Sequence, residues 1–138
     1  MVFNIIGYLS TSGKSTNTEY WQGLLDYGTS KTYLRGSSNA ATNNSNILSG
    51  VLSLVQEIDL SSYAPTIFIV GHKYIVRLLT KISGGCELHN LQTKPLRNIE
   101  QWKELSSLNL SSISWESVRE ATSLAGTREV AQLVKDAQ

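Results

Sequence analysis

The hydrophobic period of this chain changes across the polar segment 36–44, and that change limits what it can fold into. Before it, apolar residues fall in extended runs. Val2, Phe3, Ile5, Ile6, Tyr8 and Leu9 make residues 2–9 almost uninterrupted apolar sequence, as in a strand buried on both faces. A Gly/Ser/Thr/Asn turn segment covers 10–18, and residues 19–27 and 31–35 read as two strands of a hairpin joined around Gly28. After the switch the spacing is helical. Ile47, Val51, Leu54, Val55 and Ile58 share one face of a predicted helix from about residue 44 to 58. Pro65 opens a short apolar strand ending at Gly71, and Tyr74, Ile75, Leu78, Leu79 and Ile82 stripe a second helix that Gly84-Gly85 ends. Residues 86–96 are irregular. Asn98 and Gln101 have the spacing of a capping box for a short helix with Ile99, Trp102 and Leu105. Ile113, Trp115 and Ser117 alternate as a last strand, and Thr127, Val130, Ala131 and Val134 stripe a final helix. Three antiparallel strands followed by αβαβα predict an α/β domain, a five-stranded mixed sheet with helices on both faces, spanning residues 1–138 as one unit.

Composition narrows the class. An apolar fraction of 41% with 17% charged residues is globular, and no run approaches the ~18 continuous apolar residues of a membrane helix. Twelve basic against eleven acidic residues leave a formal charge of +1, without the basic excess of a dedicated nucleic-acid binder. The single Cys86 allows no internal disulfide, and residues 1–4 carry no basic leader, so a cytoplasmic location is expected, with the nucleus left open, and no membrane association.

Several stretches together resemble type 1 ribonuclease H domains. Thr42-Asn43-Asn44 opening a helix is similar to that family's T-N-N-x-x-E-L, residues 94–105 (Lys94, Pro95, Asn98, Trp102, Leu105) to its K-P-V-K-N-x-D-L-W-x-x-L, residues 68–75 to the T-D-S-x-Y-V step, and residues 114–119 to the W-E-W-V-K strand. The family's order of strands and helices is the one predicted above. The resemblance implies two-metal-ion hydrolysis of the RNA strand of an RNA/DNA hybrid, which needs several carboxylates converging on two hard cations. The positions paired with those carboxylates read Tyr8 or Leu9, Ile47, Gly71 and Val130, and the usual loop histidine has no counterpart. A one-residue slip offers only Asn46 or Glu129. The expectation is therefore a non-enzymatic pseudo-nuclease with no metal and no cofactor; relocated activity through Glu129 or Glu116 is the remaining enzymatic alternative.

What the resemblance leaves is binding. In the family the T-N-N residues touch the nucleic-acid backbone and minor groove, so Thr42, Asn43 and Asn44 are candidates, since neutral donors at a helix N-terminus can hold a phosphate. Asn and Thr are equally what a turn and an N-cap require. Lys73, Arg77 and Arg97, with Lys81 and Lys103, are candidates for a modest basic face, whereas the segment matching the family's basic protrusion, 82–93, is short and nearly uncharged. The competing expectation is a protein-assembly module using an apolar former cleft of Tyr8, Ile47 and Val130. Domains of this kind accompany the polymerases of viruses and mobile elements, so a partner in a replication complex is a further expectation.

His72 and His89 lack the further ligands of a metal site, and Cys86 has no evident activating base. Gly13-Lys14-Ser15 lacks the upstream glycine of a phosphate loop. Trp21, Trp102 and Trp115 fall on patterned positions and are expected in the core.

Overall fold

The computed structural model describes residues 3–12, 18–39 and 42–137, apart from the side chains of Phe3, Ser38, Asn39 and Asn43. The Gly13-Lys14-Ser15 stretch lies outside the described residues. Strands β1 (Phe3–Thr11), β2 (Thr18–Asp26) and β3 (Lys31–Asn39) precede α1 (Asn43–Glu57), β4 (Tyr63–Val70), α2 (Lys73–Ser83), α3 (Ile99–Ser106), β5 (Ser114–Val118) and α4 (Ala125–Ala137). Single 3-10 turns occupy Leu88–Asn90 and Ala121–Ser123. The sheet order is β3-β2-β1-β4-β5, with β1, β2 and β3 antiparallel and β1, β4 and β5 parallel.

Alternation along the strands sends neighbouring residues to opposite faces. Leu9 points at Gly50 of α1, whereas its neighbour Tyr8 points at Gly126 of α4. The α1 side is the larger layer: Ile5, Leu9, Trp21, Leu25, Ile67, Ile69 and Trp115 meet the apolar stripes of α1, α2 and α3 in one continuous cluster. Trp102 of α3 is fully enclosed there, and all three tryptophans are core residues. Leu24, Val118, Val130 and Val134 are buried but separate from that cluster, forming a thinner layer beneath α4.

Three local expectations change. β1 is not covered on both faces, because Asn4 and Ile6 are exposed: they share the face of Tyr8, which one helix covers rather than three. β3 does not end at Arg35 but continues to Asn39. Gly36, opposite Trp21, makes this possible, since a Cβ there would overlap the Trp21 indole. Asn98 does not form a capping box. It takes a left-handed conformation (φ 58°) without a side-chain cap, and Gln101 turns away to donate to the Ser45 carbonyl (2.9 Å) and Ser49 Oγ (3.0 Å). α3 is thereby clamped to the first turn of α1.

Candidate nucleic-acid interface

α1 begins as its sequence demands. Thr42 is extended, its Oγ1 accepts from Ser45 N–H at 3.1 Å and its carbonyl from Asn46 N–H at 2.9 Å. The threonine is thus committed to capping. Asn43 starts the helix, and its side chain lies outside the described residues. Asn44, half-buried, lines a cavity of about 380 Å3 together with Tyr74, Ile75, Gln92, Lys94, Pro95, Leu96, Arg97, Asn98 and Trp102. The two stretches singled out by sequence, T-N-N and K-P-x-x-N, therefore face each other across one opening. The Gln101 clamp fixes their separation, and the left-handed Asn98, a conformation asparagine tolerates better than most residues, turns the chain from Arg97 into α3.

The wall from α2 is aromatic and basic. Arg77 lies 5.6 Å from the Tyr74 ring centroid, Tyr74 Oη donates to Gln92 Oε1, and Gln92 Nε2 donates to the Pro95 carbonyl at 3.3 Å. Lys73, Arg77, Lys94 and Arg97 are exposed, and none has a carboxylate partner among the described residues. Two members of the predicted basic face do not join them: Lys81 donates to the Leu91 carbonyl, and Lys103 pairs with Glu100. A shallower cavity of about 590 Å3 continues the opening past Lys94 and Pro95 to His89, Leu88 and Ile99. Tyr74, Gln92, Lys94 and Asn98 were not among the sequence candidates; the K-P-x-x-N match already contained Lys94 and Asn98.

The positions paired with the family's carboxylates lie elsewhere. Tyr8 stacks on Phe68 (centroids 5.8 Å apart, planes at 20°) beneath Gly126, and burial raises its phenol pKa, with a smaller contribution from Asp26. Leu9, Ile47 and Val130 are each 0% exposed, and Gly71 is a left-handed turn residue (φ 73°). The expected apolar contact surface does not form, because Ile47 and Val130 are sealed in separate layers on the two faces of the sheet. This donor set does not fit a pair of divalent ions, and no three His, Cys, Asp or Glu residues cluster as metal ligands among the described residues. Of the slipped alternatives, Glu129 is held by Tyr33 (2.5 Å) and Lys31 (3.7 Å), Asn46 is buried, donating to the Tyr20 carbonyl at 2.9 Å, and Glu116 is exposed on β5.

His72 follows Gly71 in the same left-handed region (φ 52°) and is hydrogen-bonded through Nε2 to Thr11 Oγ1 at 2.8 Å. Gly71 is anchored on both sides, its N–H donating to the Val118 carbonyl and its own carbonyl accepting from Ser117 Oγ, each at 2.8 Å. Burial lowers the His72 pKa. The imidazole thus ties the end of β1 to the β4–α2 turn.

No protein-family model matches the chain. In sequence it is similar to a Ribonuclease H of Cyanothece sp., 24% identical over 110 residues that cover 77% of this chain and 70% of the relative. Among solved structures it is similar to LC9-RNase H1, a type 1 RNase H with the type 2 active-site motif: TM-score 0.75, 16% identity, covering 99% of this chain and 72% of the other. It is also similar to part of a foamy viral protease-reverse transcriptase solved with an RNA/DNA hybrid: TM-score 0.71, 16% identity, covering 96% of this chain and 19% of that one.

These likenesses correct the expectation of a non-enzyme. The relative is named for an enzyme, and LC9-RNase H1 shows a type 1 fold bearing another type's active-site motif. Departure from T-N-N-x-x-E-L is therefore no ground for excluding an enzyme. No described helix is long and apolar enough to cross a membrane. The chain has the ribonuclease H-like α/β fold, five strands in the order 3-2-1-4-5 between helical layers, and is similar in sequence to a ribonuclease H.

Proposed function

We propose that this chain binds nucleic acid, with an RNA/DNA hybrid as its ligand, on the surface where the first turn of α1, the start of α2 and the 92–98 segment meet. The observation that carries the reading is the convergence of Asn44, Lys94, Arg97 and Asn98 on one opening, flanked by the Arg77–Tyr74 pair. Neutral amides supply donors to backbone and sugar oxygens, and the cations that no carboxylate neutralises among the described residues supply the sequence-independent attraction. The modest net charge of +1 is no obstacle when cations gather on one side.

The test is titration of a fluorescent hybrid with the whole chain over a series of salt concentrations. Four phosphate contacts, from Lys73, Arg77, Lys94 and Arg97, set an upper slope of about −3.6 in log affinity against log salt, and each Ala substitution flattens it by ~0.9. Asn44→Ala is expected to weaken binding with the salt slope unchanged. Absence of binding at low salt, or variants indistinguishable from the parent, refutes the assignment. Running the same samples with magnesium or manganese on a denaturing gel reports RNA cleavage independently of binding.

A further inference from the structure

Past Lys94 and Pro95, the proposed nucleic-acid surface runs on into a recess of about 590 Å3. The two openings share Gln92, Lys94, Pro95 and Leu96, so a strand leaving the first enters the second without crossing a gap. Gln92 holds this shared wall in shape: its Oε1 accepts from Tyr74 of α2, and its Nε2 donates to the Pro95 carbonyl at 3.3 Å.

The chemistry changes along the path. The inner opening carries amides and cations, whereas the recess has an aliphatic floor of Leu88 and Leu96, each half-buried against the core, with Pro95 and Ile99 beside them. Ile99, the first residue of α3, is 37% exposed, and Tyr74 at the other end of the path is 40% exposed. Both are large apolar side chains that the fold leaves open, and both stand on this one continuous surface. Charge changes in the same direction. Lys94 and Arg97 on the inner side have no carboxylate partner among the described residues, while on the outer side the exposed carboxylate of Glu87 lies 3.4 Å from His89 Nε2. Phosphates are attracted as far as Lys94 and repelled beyond His89.

The recess therefore suits the group that follows the last held phosphate, with an apolar face and a polar edge. Its volume lies within the ~300–1,000 Å3 of pockets that take single small ligands. A nucleobase has the required character, its face on Ile99 and Leu96 and its edge toward Thr93 and His89 at the rim. Within a duplex that face is covered by stacking on neighbouring pairs; in an unpaired base it is free.

We propose that the recess seats the first unpaired base of a single-stranded extension, so that this surface prefers a hybrid extended at one end to a blunt one. The assignment rests on the nucleic-acid reading above and adds to it the base beyond the duplex.

The test is fluorescence anisotropy of the whole chain with a labelled blunt twelve-base-pair hybrid, and with the same hybrid extended by three thymidines at each of its four strand ends in turn. Every extended hybrid has a counterpart with an abasic site at the first extension position, which keeps the added phosphates and removes only the base. At one end, the intact extension is expected to bind about fivefold more tightly than its abasic counterpart, the low end of the range for a stacked base because the floor is aliphatic. Ile99→Ser is expected to equalise the two while leaving affinity for the blunt hybrid unchanged. Equal binding of intact and abasic extensions at all four ends, with the blunt hybrid still bound, overturns this proposal and leaves the nucleic-acid reading standing. A preference that survives Ile99→Ser places the base elsewhere and overturns it as well. Absence of binding to every hybrid overturns both.

Discussion

Gly126 is the point where α4 rests on the sheet, and replacing it with Ala tests the packing of that helix. A Cβ at Gly126 would lie within 3.0 Å of the Tyr8 ring, closer than real Cβ atoms come. The ring cannot retreat freely, since Phe68 stacks on it with centroids 5.8 Å apart. Overpacking of this kind costs ~1–3 kcal/mol, and the helix-propensity gain of Ala over Gly, at most ~1 kcal/mol, is reduced near a helix start. The net expectation is ~1–2 kcal/mol of destabilisation. With an unfolding entropy of ~2.1 cal/mol/K per residue, 138 residues give ~0.29 kcal/mol/K, hence a fall in Tm of roughly 3–7 °C. Thermal unfolding followed by circular dichroism measures it. Tyr8→Ala completes a double-mutant cycle: the single change loses ring burial, but in its background Gly126→Ala is expected to cost nothing. A Gly126→Ala chain as stable as its parent, or penalties that simply add, refutes the contact as the reason for glycine.

Other consequences can be measured in the same way. His72 has a folded-state pKa below its ordinary value of 6.5, so the unfolded chain binds more protons near that pH. Stability is then fully present above pH 6.5 and declines as the pH falls below it; His72→Asn, which tolerates the left-handed backbone, is expected to flatten that part of a Tm-against-pH curve. Asn46 Oδ1 is buried with no partner among the described residues, and the Tyr20 carbonyl that Nδ2 reaches also accepts from Ser12 N–H at 2.8 Å. Asn46→Leu is therefore expected to be neutral or to stabilise by ~1 kcal/mol in a denaturant titration, with clear destabilisation counting against this account. Gln101→Ala removes both bonds from α3 to α1, and is expected to lower stability by ~1–2 kcal/mol and to weaken hybrid binding by loosening Asn98 against Asn44.

The periodic parts of the chain were the legible ones. The α1, α2 and α4 stripes, and the strand at 66–70, appear where spacing placed them because each buries a single apolar face. What sequence misplaced depends on partners remote in the chain. β3 passes Gly36 because Trp21, fifteen positions earlier (36 − 21), occupies the space a side chain would take. Gln101 has the spacing of a capping residue, but Ser45 and Ser49, brought alongside by the fold, capture it. The candidate interface was half visible: T-N-N and K-P-x-x-N were each readable, whereas Tyr74 and Gln92 reach it only through the packing of α2. Ile47 and Val130 read as neighbours in a cleft because the resemblance paired both with metal ligands; their helices, α1 and α4, instead pack on opposite faces of the sheet and bury them in different layers.

The thin layer beneath α4 bears on how the chain is made as well as how it is held. On a ribosome the strands, α1, α2 and α3 emerge before α4, and the larger layer can close without it. Leu24, Val118 and the Tyr8–Phe68 stack stay uncovered until residues 125–137 arrive, so a nascent chain that has reached residue 124 carries an apolar patch on that face. The thirteen residues of α4 cover that patch, and a chain halted before them exposes it.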